Sequence, residues 1–427
     1  MEVLAAALPF GKVVGAFVLM LIGIRNKLGL SLSILLGGAF LGLVFGLSIG
    51  DWFRVSATAL VQEKFLLLIA IVGAILVLSD GLEKSGQSTR LMTALSGYLV
   101  RPRLRLIFFP ALIGLLPMPG GAVFSAPMVK AVSTGMQLTG VEQAIINHWF
   151  RHVWEMAWPL YPGIILTVAL ADIPIGDLIV RSWPGVVAMF AIGWYFFLRA
   201  EVLKPSSLEG TTQSSGRSGR TAIKEGLPLI IAIVGAVGME SLLPGLAPTI
   251  PFEWGVIGAL LLAIASNMVR NRLGMRFLYE VLRKKSLWSM LMVIAAIFIF
   301  KDVMGAAGIV TEMAAGAGGG VALFAAAVFL PFLVGAVSGV TVAYVGATFP
   351  LLIGLLQSLG MEQNIIPFLV LGLFSGFTGV MISPLHICFV LTCSYFETEL
   401  VRTWKRLVAP CACFALSGVG LFWWLLD

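Results

Sequence analysis

From Asn364 to Phe396 the chain carries no Asp, Glu, Lys or Arg. That stretch exceeds the roughly 20 apolar residues a helix needs to cross the hydrocarbon core of a bilayer. Comparable runs recur along the sequence. They lack the short alternating pattern of a membrane barrel, so the backbone has to satisfy its hydrogen bonds within α-helices. With 59% hydrophobic and 11% charged residues and a mean hydropathy of +1.01, an all-α polytopic membrane protein is expected. The first apolar segment follows MEVLAAALPFGK and leads into a basic loop without a small-residue cleavage site, so it is expected to remain as the first span.

Spans are expected at about 10–24, 29–48, 64–80, 143–170 and 180–198, then at 226–243, 254–269, 286–303, 365–393 and 407–425. Two further apolar segments, about 107–131 and 321–356, are interrupted by PMPGG (Pro117 to Gly121) and by VSGVTVAYVG (Val337 to Gly346). Residues that end or loosen helices mark each as a re-entrant hairpin. Charge placement agrees with that choice. With hairpins that do not cross and termini outside, the inner loops hold most of the 28 Lys and Arg. Lys12, Arg54, Lys64, Arg181 and Lys301 stay outside and Arg151 lies within a span. The net charge of +7 therefore reflects orientation in the membrane, with no nucleic acid implied.

The chain also resembles itself. GVEQAII from Gly140 recurs as GMEQNII from Gly360, FFPALIG (Phe108 to Gly114) as FLPFLVG (Phe329 to Gly335), and Asp80 and Pro162 have counterparts in Asp302 and Pro384. Two repeats are expected, 1–203 and 225–427, joined by a Ser- and Gly-rich linker at 204–224 on the cytoplasmic side. Five crossings and one hairpin per repeat is an odd number of crossings, so the copies are inverted, as in many secondary transporters.

Polar groups within spans concentrate at two breaks. His148, His152 and Glu155, at i, i+4 and i+7, would share one helix face, with Arg151 flanking and Asn147 one step away. Ionisable groups at this depth are costly and do not face lipid. One reading is an Arg151–Glu155 ion pair that pins the helix. The other is functional: Arg151 or a histidine attracts an anion while Glu155 or a histidine carries a proton. Trp158, Pro159, Tyr161, Pro162 and Gly163 are expected to unwind the helix beyond. In the second copy Ser375, Gly376, Thr378, Gly379, Ser383 and Pro384 take this place, with His386 just beyond. Their oxygens suit sodium or a polar substrate, and their small size suits close helix packing. At the hairpin tips Pro117, Pro119, Gly120, Gly121 and Ser125 oppose Ser338, Gly339, Thr341 and Gly346, where helix amino termini favour an anionic group. Substrate contacts are thus assigned to the tips, Asn147, Arg151, Ser375 and Thr378, and ion coupling to His148, His152, Glu155, Ser383 and His386. Glu142 and Glu362 read as helix-start carboxylates, Asp80 and Asp302 as span-end contacts, Lys130 as a snorkelling residue, and Cys388, Cys393, Cys411 and Cys413 as small core residues.

The paired hairpins and broken segments resemble the ion transporter superfamily, the group of citrate, gluconate, dicarboxylate and arsenite carriers. Within it the PMPGG, WFRHVWE (from Trp149) and PLYPG (from Pro159) stretches are similar to those of an uncharacterised prokaryotic family of ten-span integral membrane proteins. The resemblance implies an elevator-type carrier in the bacterial or archaeal cytoplasmic membrane, working as a homodimer. Dicarboxylate carriers of the group have Ser-Asn-Thr hairpin tips, which this chain lacks. That counts against a dicarboxylate coupled to sodium, and Arg151 and the histidines favour a monocarboxylate or sugar acid coupled to protons.

The expected function is therefore secondary transport of a small organic anion, coupled to H+ or Na+. A cation/proton antiporter is the rival within transport. A membrane-embedded metalloenzyme, with a divalent metal on His148, His152 and Glu155, is the rival of another class. No enzymatic activity, cofactor or resident metal is expected, and no phosphate-binding loop signals an ATPase. A fluorescent reporter that folds only in the cytoplasm is expected to light up when fused after Lys204 and to stay dark after Asp427. The reverse pattern contradicts the assigned topology.

Overall fold

A computed structural model describes residues 2–96, 98, 101–116, 121–134, 136, 138–199, 219–247, 250–316 and 320–426. The first half holds α1 (Glu2–Arg25), α2 (Leu30–Val44), α3 (Ile49–Ala59), α4 (Glu63–Lys84), α5 (Gln87–Ser96), α6 (Pro102–Gly114), α7 (Ala122–Val132), α8 (Gly140–Arg151), α9 (Pro162–Ala171) and α10 (Ile175–Gly193), the last running into a π turn at Trp194–Leu198. The second holds α11 (Gly219–Leu246), α12 (Phe252–Arg270), α13 (Met275–Leu282), α14 (Lys285–Ala306), α15 (Ile309–Gly316), α16 (Gly320–Ser338), α17 (Thr341–Ser358), α18 (Ile365–Ile382), α19 (Ile387–Tyr395), α20 (Leu400–Lys405) and α21 (Val408–Leu426). Among the described residues every regular element is helical, and nine helices are long and apolar enough to cross a membrane. The chain is a polytopic, all-α membrane protein.

The apolar 18-residue window of the stretch from Glu362 to Tyr395, which spans α18 and α19, is 89% buried, whereas those of Ile175–Leu198 and Gly219–Leu243 are 28% buried. The broken helices therefore run through the centre and α10 and α11 lie at the periphery. Around that centre, α2 packs along α14 and α12 along α4, so each half lays its second helix against the other half. In the middle, α6 and α7 pack on α8, and α16 and α17 on α18, while α17 reaches α9 and α7 reaches α19.

Glycine sets the closest approach. A Cβ on Gly335 of α16 would collide with the Gly376 carbonyl of α18, and one on Gly379 with the Phe332 carbonyl. In the first half a Cβ on Gly114 of α6 would collide with the Arg151 carbonyl. Bare backbone at these crossings is the small-residue packing that holds helices together where lipid removes the hydrophobic drive.

Several boundaries differ from those expected. The 29–48 span shortens to α2, because Gly46 at φ 88° ends it in a reversed turn in which Leu47 N–H reaches Gly42 O at 2.8 Å. Segments expected as loops form the short surface helices α3 and α13. Lys84 at the end of α4 hydrogen-bonds Glu280 of α13, and with Arg276 it holds that carboxylate below its usual range. The expected linker loses 219–224 to the start of α11, and 204–218 lies outside the described residues. The second hairpin turns in only two residues, Gly339 and Val340, because Gly339 adopts φ 65°; the expected interruption from Thr341 to Gly346 is helix. Its second arm, Thr341–Ser358, counts among the nine helices long enough to span. The first hairpin's arms, at 13 and 11 residues, reach only about 20 and about 17 Å.

Adding one methyl group separates packed glycines from open ones. Gly379→Ala is expected to lower the melting temperature of the detergent-purified protein, at a cost of about 1–3 kcal/mol for overpacking. Gly73→Ala, in α4 with open space around its Cα, is expected to raise or hold it, since alanine favours helix by about 1 kcal/mol. Equal shifts in the two variants contradict this packing.

Candidate functional site at the two helix breaks

The first break opens where α8 ends, at Arg151, and closes where Pro162 starts α9. Pro162 does not unwind a helix as expected: its fixed φ suits a first helical position, so it begins one. The residues between, His152 to Tyr161, form successive turns. Only His148 of the proposed i, i+4, i+7 face is therefore helical, and the three side chains meet because the chain turns. Polar anchors fix those turns on the first hairpin. Trp154 Nε1 donates to Ala111 O at 2.8 Å, and Tyr161 Oη to Gly114 O at 2.5 Å.

The second break is shorter, Ser383 to His386, between α18 and α19. Ser383 Oγ donates to Ala336 O of α16 at 2.6 Å, and His386 Nδ1 lies 2.7 Å from Gly339 O at the hairpin turn. A Cβ on Gly339 would meet the His386 backbone, so only glycine allows that seat.

These two dockings bring all three of the chain's histidines together. His148 and His152 are fully buried and His386 is 6% exposed. His152 Nε2 and His386 Nε2 stand 3.0 Å apart across the two halves, and the His148 ring centroid lies 4.9 Å from that of His152 and 5.4 Å from that of His386. Glu155 Oε1 is 3.9 Å from His152 Nε2, and Glu155 Oε2 accepts a 2.6 Å hydrogen bond from Thr341 Oγ1 in the second half. Thr341 in turn packs its methyl against Gly163 at the start of α9. Arg151, 2% exposed, hydrogen-bonds Tyr161 and presses its guanidinium against Gly121 at the first hairpin tip, where a side chain would displace it.

The structure thus assembles Gly121, His148, Arg151, His152, Glu155, Gly339, Thr341 and His386. Others of the expected site residues lie elsewhere. Ser375 and Thr378 sit inside the unbroken α18, with their hydroxyls on the Val328 and Phe374 carbonyls, because their small size serves helix packing. Ser125 bonds back to Ala122 O at 3.3 Å, and Ser338 braces its own turn with Val340. Ser383 is consumed in docking the break. Asn147 spans from α7 to α19, donating to Ala122 O at 3.1 Å and Thr392 Oγ1 at 3.2 Å. Pro117, Pro119 and Gly120 lie outside the described residues. Cys388, read from the sequence only as a small core residue, is buried beside the cluster; its position two residues beyond His386 is the only sequence signal.

The remaining expectations mostly concern caps and packing. Glu142 closes a capping box with Thr139 at the start of α8. Glu362 lies in a 3-10 turn ahead of α18. Asp80 pairs with Lys284 at 2.9 Å, and Asp302 accepts from Gln62 at 2.6 Å. Lys130 sits over the Tyr395 ring. Cys393 and Cys411 are buried with Cys388, whereas Cys413 is exposed on α21 rather than in the core.

The family described as a protein of unknown function (DUF401) matches residues 12–421. The chain belongs to that family. No curated protein matches it.

Thr341→Val keeps the shape that fills the space above Gly163 and removes the hydroxyl that Glu155 accepts from. Leaving a buried carboxyl oxygen without its donor costs about 1–3 kcal/mol. A fall in melting temperature of several degrees is expected, against little change for Val340→Thr at the exposed end of the same turn. An unchanged temperature for Thr341→Val contradicts the cross-half contact.

Proposed function

We propose that this protein is a secondary active transporter that carries a small organic anion, a carboxylate or sugar acid, across the cytoplasmic membrane at the expense of an H+ or Na+ gradient. The observation that carries the proposal is the placement of Arg151. A guanidinium, built to grip carboxylates with a fork of N–H donors, is buried where a helix break meets a hairpin tip, with Glu155 and three histidines beside it. Buried charge of this kind inside a spanning segment marks a substrate or ion path.

Two inverted repeats account for the layout. The order from α4 to α10 has its counterpart from α14 to α21, each half lending its second helix to the other, and Gly114 and Gly335 each let a hairpin arm cross close to the backbone of the broken helix packed on it. The hairpins and broken helices form the central, mobile unit of an elevator, and the outer helices form its scaffold, held as a homodimer. A cavity of about 250 Å³ supports access from one side. Its lining includes Lys64, Asp172 and Glu240 together with Pro159 and Leu160 of the first break. A second, of about 620 Å³, shares Lys64 and Asp172 and extends to Lys301 and Asp302. Under the assigned topology both open outward.

A ligand that binds the native state raises its melting temperature, by about 2.7 kcal/mol of stability at 100 times its Kd. One class of small organic anion is expected to stabilise the purified protein, and the stabilisation is expected to vanish in Arg151→Ala and to change its sodium or pH dependence in Glu155→Gln. Stabilisation by sodium or protons alone, with no anion effective, contradicts the proposal and favours a cation/proton antiporter.

A further inference from the structure

The three histidines share a bonding pattern that a structural cluster does not require. In each ring one nitrogen faces a backbone carbonyl: His148 Nε2 faces Met381 O at 3.3 Å, His152 Nδ1 faces His148 O at 2.6 Å, and His386 Nδ1 faces Gly339 O at 2.7 Å. A carbonyl only accepts, so each of those nitrogens carries the hydrogen, and in a neutral imidazole the other nitrogen holds a lone pair. The lone pairs left are on His148 Nδ1, His152 Nε2 and His386 Nε2. Two of them face each other at 3.0 Å. The third, His148 Nδ1, is buried and has no hydrogen-bond partner among the described residues. One ring nitrogen from each of the three residues lies within 4.8 Å of the others.

Converging lone pairs repel unless an electrophile sits between them. A shared proton would bridge His152 and His386 and leave His148 Nδ1 unsatisfied. A metal ion uses all three. Zinc binds imidazole nitrogen at about 2.0–2.1 Å, which sets tetrahedral ligands about 3.3 Å apart, so small ring rotations close the set. Carbonyls on the opposite ring nitrogens are the outer-shell partners that orient metal-binding histidines. Three imidazoles select ions of the zinc, copper and nickel kind over magnesium or calcium. Glu155 Oε1, with its other oxygen held by Thr341, stands ready as a fourth ligand and offsets the like charge of neighbouring Arg151.

We propose that His148, His152 and His386 form a site for one divalent transition-metal ion of the zinc class, which ties the broken helix of the first half to that of the second. The ligand set differs from the His148, His152 and Glu155 trio readable in sequence, because His386 arrives from the other half. Neither the transported anion nor the coupling ion enters this inference, so it stands or falls separately.

The test uses full-length protein purified with a tag that contains no histidine, stripped with chelator and titrated with Co2+ and Zn2+. One Co2+ per chain is expected, with the intense visible absorption of a four-coordinate ion. Zn2+ is expected to raise the melting temperature where Mg2+ does not. His386→Asn is expected to weaken binding by about 100-fold or more, beyond the 10–100-fold typical of outer-shell changes. If that variant does not fold, the stoichiometry, spectrum and Zn2+-specific stabilisation of the wild type decide the matter. Substoichiometric binding, an octahedral spectrum, equal stabilisation by Mg2+, or unaltered affinity in a folded His386→Asn overturns the proposal. The anion panel, run on the metal-free protein, reports on transport independently.

Discussion

A helix that stops inside a membrane protein leaves its last carbonyls and the next helix's first N–H groups to be satisfied without water. The first arm of each hairpin stops in this way, and side chains of the breaks supply the donors that its last carbonyls lack. Trp154 and Tyr161 reach the Ala111 and Gly114 carbonyls of α6, and Ser383 reaches the Ala336 carbonyl of α16 while His386 meets Gly339 at the turn. The glycines at these crossings matter because only bare backbone lets the carbonyls come within reach. Once both breaks are docked, the contacts between His152 and His386 and between Glu155 and Thr341 follow from geometry. The site is a product of how two interrupted helices are anchored.

That dependence separates what the sequence discloses from what it conceals. Apolar length disclosed the helices, since runs this long without alternation satisfy their backbone in lipid only as helices. The run of Asn147, His148, Arg151, His152 and Glu155 disclosed where polar groups gather, because they are out of place in an apolar span. Their spacing misled about geometry. An i, i+4, i+7 pattern implies one helix face only if the helix continues, and here α8 ends at Arg151. Ser375 and Thr378 misled for the opposite reason: small hydroxyl residues fit both an unwound segment and a tightly packed helix, and α18 runs on past them. His386 could be named from sequence but not its partners, since a contact between residues 152 and 386 leaves no local pattern. The short helices α3 and α13 are amphipathic surface turns that apolar length does not mark.

The proposed transport function draws on the cost of this centre. Five ionisable side chains, His148, Arg151, His152, Glu155 and His386, are buried together. A fold that needed only cohesion would do better with apolar residues, since buried charge is weak support for stability. One buried polar atom of the cluster, His148 Nδ1, lacks a partner among the described residues, and an orphan of this kind in a native interior points to a ligand. A metal on the histidines and an anion at Arg151 are compatible. The first ties the two halves of the central unit together, and the second is the cargo that unit would carry.

The most direct measurement of the central claim is gradient-driven uptake into liposomes reconstituted with the purified protein. A labelled organic anion that stabilises the protein would be supplied outside, with proton and sodium gradients imposed separately. The account predicts accumulation that depends on one of the two gradients, is abolished in Arg151→Ala and is lost or uncoupled in Glu155→Gln. Anion entry that needs no gradient, or that persists unchanged in Arg151→Ala, would contradict it.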